Sequence, residues 1–324
     1  MKTNAIRIYE YGTPDVLQWE EVNVPDPAPG EAEVRHTAIG LNFIDTYHRS
    51  GLYPMRLPMG LGSEAAGIVE AIGAGVTNVA IGDRVVYTGS PADSYSERRN
   101  FDASRLVPIP DSVSDETAAA VFLKGLTAWY LLRRSYRVQS GDPVLLYAAA
   151  GGVGSLASQW AKHLGATVIG IVSTDEKAAL ARSHGCDHII MADDNVPEKV
   201  RELTNGQGVA AVYDSVGRDT FFASLDSLRP HGTMVTFGNA SGPVEPFAAA
   251  ELAKRGSLYV TRPILFHFIG KREELLEASD ELFEFITRDD VNIRIGKTYA
   301  LKDAAQAHRD LEARKTTGST ILLP

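Results

Sequence analysis

The chain has 324 residues, a formal net charge of −9 and an isoelectric point of about 5.4. An acidic surface repels phosphate backbones, which argues against a nucleic acid partner. Cys186 is the only cysteine, so a disulfide framework is excluded and a reducing compartment, the cytoplasm, is expected. No segment has the apolar length of a signal peptide or a membrane span, so we expect a soluble protein with no membrane partner.

The N-terminal part of the chain has the pattern of β structure. Short runs rich in Val, Ile and Tyr are separated by Pro and Gly, which is typical of strands joined by turns. The predicted strands are Ala5–Tyr9, Glu33–Ile39, Ala66–Ala71, Arg84–Tyr87 and Arg105–Ile109. A short helix is expected after Asn42, and two further helices are expected at Thr117–Leu123 and Gly125–Tyr136.

Strands and helices then alternate in a regular way. The predicted strands are Val144–Tyr147, Thr167–Val172, His188–Met191, Val209–Asp214, Thr233–Gly238 and Leu258–Thr261, with helical segments between them. This alternation predicts an α/β fold with a parallel sheet covered on both faces, and six strands complete a doubly wound (Rossmann) sheet. We expect the tail, from helix Glu273–Arg288 to strand Ser319–Leu322, to return to the first domain. The predicted domains are 1–124, completed by 266–324, and 125–265.

A glycine-rich turn at Ala148–Gly154 follows the first strand of the alternating region and opens a helix. Against the pattern G-x-G-x-x-G, it has Ala149, Gly151 and Gly154 at the three marked positions. Small residues are needed there because the backbone turns tightly, approaches a pyrophosphate and lets helix and strand pack closely. The helix N-terminus then offers free N–H groups to the phosphates. The turn therefore predicts a dinucleotide site, with alanine in the first position as a mild departure.

The end of the next strand indicates which dinucleotide binds. Enzymes that use NAD place an acidic residue there for the ribose, whereas NADP enzymes place a cation or a small polar group. This chain has Ser173 and Thr174 at that point, and Lys177 follows within reach of a 2′-phosphate. Asp175 and Glu176 are the counter-evidence, but negative charge is also favoured in the first turn of a helix. We therefore predict NADPH as the cofactor.

Two other catalytic patterns are absent. None of the 12 tyrosines is followed four residues later by lysine, so the short-chain reductase arrangement is excluded. No G-x-S-x-G occurs, which excludes a hydrolase elbow. The crowded segment His184–His188 spans a predicted helix end and a strand start, and we interpret it as a turn rather than a metal site.

Several segments together resemble the zinc-free quinone oxidoreductases, the zeta-crystallin-like family of the medium-chain dehydrogenase/reductase superfamily. They are Gly40–Tyr47, Ser50–Pro54, Gly62–Gly67, Gly82–Val85, Lys124–Thr127, Tyr213–Gly217 and a signature within Gly141–Lys162 that includes Ala149–Gly152, Gly154 and Gln159. The resemblance extends over essentially the whole chain. It implies a GroES-like, β-rich catalytic domain beside the Rossmann domain, a cleft between them, and a homodimer formed through the sheets of the nucleotide domains.

The resemblance also implies site residues. The substrate and nicotinamide side of the cleft would be lined by Asn42, Asp45, Tyr47 and Tyr53. The residues expected to bind NADPH are Asn42, Ala149, Gly151, Gly152, Val153, Gly154, Ser173, Lys177, Asn239 and Arg314. Close relatives have a tyrosine near the adenine phosphate where this chain has Ala192, which weakens the expectation for the 2′-phosphate.

The related zinc alcohol dehydrogenases have ligands where this chain has Asn42, Ser63 and Lys124, and these three make no plausible zinc site. We therefore expect hydride transfer to a quinone without zinc, which needs little general acid catalysis because the product anion is stabilised. Asn42 and Tyr47 would donate hydrogen bonds to the developing oxyanion, and Tyr53 would stack on a flat ring.

Several alternatives stay open at this stage. A reductase of alkenals or enones would use the same fold and the same hydride. The chain could also belong to a different functional class, as a nucleotide-binding protein with a structural or RNA-binding role. The site residues also have purely structural interpretations. Asn42 would cap the short helix, and Asp45 would hold backbone N–H groups or the nicotinamide ribose and do no chemistry. The tyrosines would only pack between the domains, Lys124 would be a solvated surface lysine, and Arg314 would be a solvated charge near a helix end.

Overall fold

We analysed the protein as a computed structural model that describes all residues from Met1 to Pro324. The chain divides into two compact units. The first unit comprises Met1–Lys124, Ile269–Asp289 and Ile293–Pro324, and the second unit comprises Gly125–Phe268 and Asp290–Asn292. None of the helices combines the length and the apolarity that a bilayer span requires.

The first unit begins with mostly extended chain. The elements up to residue 130 are β1 (Lys2–Ile8), β2 (Gln18–Asn23), β3 (Glu31–Leu41), α1 (Phe43–Ser50), β4 (Met59–Gly60), β5 (Glu64–Ile72), β6 (Arg84–Thr88), β7 (Arg98–Asp102), β8 (Val107–Pro108) and α2 (Asp115–Tyr130), with 3₁₀ turns at Pro14–Val16 and Ala103–Arg105. Helix α2 begins in the first unit and continues into the second. Strands β2 and β7 are not predicted from the sequence, because both are rich in charged or polar residues and lie partly at the surface. The predicted helix break at Gly125 is wrong.

Helix α2 passes through Gly125 and ends at Tyr130, where a π-helical turn, Leu131–Ser135, follows. A glycine within a helix costs about 1 kcal/mol relative to alanine. Burial offsets that cost here, because Leu126, Ala128 and Trp129 are each at most 1% exposed.

The second unit is a single six-stranded sheet with helices in its connections. Its elements are β9 (Pro143–Leu146), α3 (Gly152–His163), β10 (Thr167–Val172), α4 (Asp175–Ser183), β11 (His188–Met191), α5 (Val196–Leu203), β12 (Val209–Asp214), α6 (Phe221–Asp226), β13 (Leu228–Thr236), α7 (Ala250–Lys254) and β14 (Tyr259–Thr261), with a 3₁₀ turn at Leu265–His267. All neighbouring strands are parallel, in the order β11-β10-β9-β12-β13-β14. The strand order reverses at β9, as in the doubly wound dinucleotide fold. The predicted Rossmann sheet is confirmed.

The tail returns to the first unit. It forms α8 (Arg272–Ile286), β15 (Ile295–Ala300), a 3₁₀ turn at Leu301–Asp303, α9 (Ala304–Glu312) and β16 (Ser319–Leu323). Strand β16 pairs with β3 and so joins the tail to the N-terminal strands. The resulting seven-stranded sheet has the path β15-β16-β3-β5-β6-β8, with β7 also paired to β3, and a smaller sheet has the order β2-β1-β4.

Each unit has its own apolar core. The core of the first unit includes Ile6, Leu61, Tyr87 and residues of α9, which explains why α9 belongs to this unit. The core of the second unit joins inward residues of β9, β10 and β12 to α5 and α6.

Candidate functional site

The glycine-rich turn lies between β9 and α3 in the second unit. Ala148 has a left-handed φ of 52°, and its carbonyl accepts a 2.8 Å hydrogen bond from the Gly151 N–H. Gly151 is the N-cap of α3, and no side chain caps this helix. Because the first N–H groups of a helix have no intrahelical acceptor, the N-terminus at Gly152 and Val153 is suited to bind an anion.

Close packing at the start of α3 requires the glycine at position 154. A Cβ atom there would lie 2.2 Å from the Ala148 carbonyl oxygen and 2.8 Å from Ala149 Cα. Ala149 itself is buried, and its N–H donates a 3.1 Å hydrogen bond to Ile171 O of β10. A Cβ on Gly170 would lie 2.8 Å from Ala149 Cβ. The departure at the first position of the pattern is thus accommodated by a glycine on the neighbouring strand.

The end of β10 presents no acidic side chain. Ser173 and Thr174 follow the strand directly, and Thr174 Oγ1 accepts a 3.2 Å hydrogen bond from the Lys177 N–H at the start of α4. Lys177 Nζ lies 3.5 Å from Ser173 Oγ, so the two predicted phosphate ligands are adjacent; Ser173 is exposed and Lys177 is half-buried. Ala192 is exposed after β11 and donates its N–H to Val172 O at 2.8 Å.

Asp214 lies in the segment Tyr213–Gly217, but the sequence gives no sign of the hydrogen bonds that it makes. It is fully buried at the end of β12. Oδ1 accepts from the N–H groups of Val216 and Gly217 at 2.7 and 3.0 Å. Oδ2 accepts from the hydroxyls of Thr220 and Ser224 at 2.7 and 2.8 Å. Four donors on one carboxylate fix the loop between β12 and α6.

That loop is bonded to the turn that carries Asn239. The Ser241 N–H donates to Val216 O at 2.8 Å, and the Arg218 N–H donates to Gly242 O at 3.1 Å. A Cβ on Gly217, whose φ is 95°, would lie 2.6 Å from Gly242 O. Asn239 is half-buried in this pair of turns, beyond the end of β13. Of the other predicted cofactor ligands, Arg314 lies in the first unit, exposed after α9 with a φ of 58°.

The four predicted catalytic residues lie in the first unit, where Asn42 is the N-cap of α1, Asp45 and Tyr47 are on α1, and Tyr53 is in the loop that follows it. The Tyr47 and Tyr53 rings are in edge contact with centroids 5.2 Å apart, and the Tyr53 N–H donates to Tyr47 O at 3.1 Å. Both rings are half-buried. The pair therefore forms one aromatic wall rather than two separate surfaces.

Asn42 and Asp45 are joined at the start of α1. Asp45 Oδ2 accepts a 2.9 Å hydrogen bond from the Asn42 N–H and Oδ1 accepts a 2.7 Å bond from the Ser63 hydroxyl. Burial raises the pKa of Asp45 to about 6, against the lowering effect of these donors. Asp45 therefore does hold a backbone N–H, as one of the structural interpretations supposed.

Glu64 and Lys124 complete this cluster. Asn42 Nδ2 and Lys124 Nζ donate to the same oxygen, Glu64 Oε1, at 2.7 and 2.9 Å. Glu64 Oε2 accepts from the Leu123 N–H at 2.6 Å. The side-chain nitrogen of Asn42 thus bonds to Glu64. Asn42 is also the N-cap of α1 and forms a capping box with Asp45, as the capping interpretation expects. The interpretation of Lys124 as a solvated charge is wrong, because the residue is only 6% exposed.

A series of hydrogen bonds between buried polar side chains also ends at Asp45. The Tyr95 hydroxyl donates to Asp45 Oδ2 at 3.0 Å, and His308 Nε2 lies 3.1 Å from the same hydroxyl. Arg49 NH1 donates to His308 Nδ1 at 3.0 Å, and its guanidinium also pairs with Glu312. This series of hydrogen bonds is not predicted from the sequence, because the residues that form it are far apart in the chain.

No group of three or more His, Cys, Asp or Glu side chains is arranged to hold a metal ion. Where the related alcohol dehydrogenases have ligands, the chain places the amide, hydroxyl and ammonium of Asn42, Ser63 and Lys124, each bonded to a carboxylate. An ammonium donates and cannot ligate, so the cluster as built does not resemble a zinc site.

Comparisons with known proteins agree with this architecture. The alcohol dehydrogenase GroES-like domain family matches residues 28–111, and the zinc-binding dehydrogenase family matches residues 152–283. A quinone oxidoreductase of Pseudomonas aeruginosa is 52% identical over 98% of this chain and 99% of its own length. A 2-haloacrylate reductase of a Burkholderia species is 46% identical over 99% of this chain and 98% of its own length.

Among solved structures, Escherichia coli quinone oxidoreductase complexed with NADPH superposes with a TM-score of 0.97 at 49% identity, covering 99% of this chain and 100% of that one. The GroES-like and Rossmann domains expected from the sequence are therefore confirmed. The chain belongs to the quinone oxidoreductase family of the medium-chain dehydrogenase/reductase superfamily.

Proposed function

We propose that this chain transfers a hydride from NADPH to a quinone. The observation that carries the proposal is its likeness, over nearly its full length, to a quinone oxidoreductase crystallised with NADPH. Its own residues are of the right kind. The N-terminus of α3 is open, the end of β10 carries no carboxylate, and Lys177 lies beside Ser173.

We assign the cofactor contacts as follows. NADPH, when bound, supplies the hydride from its nicotinamide ring. The N–H groups of Gly152 and Val153 receive the pyrophosphate, while Ala149, Gly151 and Gly154 keep the turn narrow. Ser173 and Lys177 receive the 2′-phosphate, and Asn239, Arg314 and Asn42 make further contacts. The cluster at Asp214 supports the loops beside Asn239.

The substrate side belongs to Asn42, Asp45, Tyr47 and Tyr53. A quinone is a flat acceptor, and the aromatic wall of Tyr47 and Tyr53 offers ring edges and faces for it to pack against. Binding the acceptor in line with the hydride supplies rate by proximity and orientation. The phenol of Tyr47 is the group we assign to donate a hydrogen bond to the developing oxyanion.

The test is NADPH oxidation with 1,4-benzoquinone, compared with NADH and with a simple enone. Lys177→Ala should raise the KM for NADPH about tenfold, since a hydrogen bond to a charged group is worth about 1.5–3 kcal/mol, and leave the KM for NADH unchanged. Lys199→Ala, an exposed lysine paired with Glu202, is the matched control. Equal effects of Lys177→Ala on both cofactors would refute the phosphate assignment, and no quinone turnover would refute the function.

A second candidate is reduction of a carbon–carbon double bond. It is favoured by the 46% identity to a 2-haloacrylate reductase. Turnover of the enone with NADPH, without turnover of the quinone, would assign the chain to this reaction.

The third alternative is a nucleotide-binding structural or RNA-binding protein. It predicts that the chain shifts AU-rich RNA in a gel at physiological salt. We expect no shift, because a net charge of −9 disfavours binding to the phosphate backbone.

We further propose that the reaction needs no zinc. The support is the Lys124 ammonium, 2.9 Å from Glu64 in the cluster around Asn42, because a fixed positive charge opposes a metal cation. Full activity after dialysis against a chelator, with no zinc in elemental analysis, is the expected result. Activity that falls with chelation and returns with zinc would contradict it.

We also propose that the chain forms a homodimer and works in the cytoplasm. Strand β14 is an edge strand of the second unit's sheet, and Tyr259 on it is 62% exposed. An exposed edge is a template for pairing with another strand. Light scattering should give twice the mass of the chain, and Tyr259→Lys should reduce it to one chain because a charge on an exposed edge strand opposes pairing.

A further inference from the structure

The orientation of the Asn42 amide is determined by its neighbours. Its nitrogen, Nδ2, faces two oxygen atoms, Glu64 Oε1 at 2.7 Å and Gly40 O at 3.4 Å. Both are acceptors, so the nitrogen must point to them, and a reversed amide would place Oδ1 against a carboxylate. The donors of the side chain are therefore used inside the protein. The carbonyl oxygen Oδ1 has two lone pairs, and the capping box at the start of α1 uses one of them for the Asp45 N–H, which leaves the other for a ligand.

Glu64 has little room to move away from this position. A Cβ on Gly40 would lie 2.1 Å from Glu64 Oε1, which shows how closely the carboxylate packs on β3. The Leu123 N–H holds the other oxygen at 2.6 Å. A buried carboxylate is costly unless it is paired, and Lys124 supplies the pairing charge at 2.9 Å.

We propose that Glu64 and Lys124 are positioning residues that hold Asn42 as a hydrogen-bond acceptor, through Oδ1, for a hydroxyl group of the bound ligand. The inference rests on the proposed function, since both NADPH and a hydroquinone product carry hydroxyl donors. It also corrects the expectation that Asn42 donates to the developing oxyanion. An acceptor aimed at an oxyanion would repel it, so that task belongs to Tyr47.

A swap of polarity tests the acceptor role. The double variant Asn42→Asp/Glu64→Gln keeps one carboxylate beside Lys124 and so keeps the net charge of the cluster. The new amide keeps its oxygen on the Leu123 N–H and donates its nitrogen to one oxygen of the new carboxylate. The Lys124 ammonium must turn from that nitrogen to the carboxylate, whose other oxygen takes the place of Oδ1. Asn42→Leu, which has similar size and no acceptor, is the matched comparison.

We would measure the Kd for NADPH, kcat and KM with benzoquinone, and the thermal midpoint. Asn42→Leu should lose on the order of tenfold in kcat/KM, and the swapped variant should lose clearly less, about threefold, because it restores an acceptor. A loss in the NADPH Kd would place the hydroxyl on the cofactor, and a loss confined to the quinone kinetics would place it on the product. If the swapped variant fell as far as Asn42→Leu, or if Asn42→Leu had no effect, the inference would be overturned.

A second variant covers the case in which the swap does not fold. Glu64→Gln/Lys124→Met removes both charges together and leaves the Asn42 amide free to turn. We expect a thermal midpoint near that of the wild type and a kcat/KM several-fold lower, and an unchanged kcat/KM would overturn the inference. Wild-type protein that binds NADPH but does not oxidise it with benzoquinone would instead refute the proposed function, while the Kd comparison would still test the role of Asn42.

Discussion

The hydroxyl of Tyr95 donates a 3.0 Å hydrogen bond to Asp45 and lies 3.1 Å from His308 Nε2. Because Arg49 donates to Nδ1 of the same imidazole, the proton of neutral His308 is on Nε2 and is donated to the Tyr95 oxygen. The result is a directed series of hydrogen bonds from Arg49 to Asp45. It ties α9 of the tail to α1, which carries the proposed catalytic residues.

Tyr95→Phe should therefore lower the free energy of unfolding by about 2–4 kcal/mol, because it leaves a buried His308 N–H and a buried carboxylate oxygen each short of a partner. Urea unfolding followed by tryptophan fluorescence would measure this. Tyr9→Phe is the control, since Tyr9 is 52% exposed and bonds only to Glu20 at the surface. Equal losses in the two variants would show that the buried series contributes nothing.

The second prediction concerns pH. Burial lowers the pKa of His36 to about 3 from 6.5, and His36 stays neutral between Ser96 O and the Tyr87 hydroxyl. As pH falls below about 6.5 the unfolded chain binds this proton and the folded chain does not. Stability is thus fully present above pH 6.5 and declines on acidification, by about 1.4 kcal/mol per pH unit for this one group.

His36→Asn should make the stability profile between pH 6 and pH 4 shallower by that amount, even though the variant is less stable at neutral pH. The asparagine amide can still donate to Ser96 O, but it does not titrate. His267→Asn, at an exposed position, should leave the slope as in the wild type. Parallel profiles for the wild type and His36→Asn would contradict the prediction.

A feature of the fold or of the site can be predicted from the sequence when the residues that determine it lie within a short segment of the chain. The Rossmann sheet and the glycine-rich turn were predicted because strand and helix periods and small residues occur within short windows. The bond between Tyr95 and His308 joins positions 213 residues apart and has no local pattern. Strands β2 and β7 were missed because their polar side chains are partly exposed, and the break at Gly125 was wrongly predicted because burial overrides propensity.

The third prediction concerns Asp214, whose carboxylate accepts four hydrogen bonds. Asp214→Ala should lower the free energy of unfolding by about 3–5 kcal/mol, because four donors, those of Gly217 and Ser224 fully buried, lose their acceptor at once. Asp214→Asn should cost less, since the two hydroxyls can rotate to accept from the new amide. Calorimetry would rank the variants, with Asp226→Ala at the exposed end of α6 as the control. A loss for Asp214→Ala no larger than that of the control would contradict the assigned role.

The last prediction separates cofactor binding from folding at the glycine-rich turn. In Gly154→Ala the new methyl group would lie 2.2 Å from Ala148 O, so the start of α3 must move away from the turn. Since the pyrophosphate is assigned to the N–H groups of that first turn, we expect the Kd for NADPH to rise at least tenfold, equivalent to about 1.4 kcal/mol. Fluorescence titration with NADPH would measure it. His163→Ala, at the exposed end of the same helix, should bind NADPH as the wild type does. If Gly154→Ala kept its affinity while its unfolding free energy fell, the tight turn would serve packing alone and the phosphates would have to be bound elsewhere.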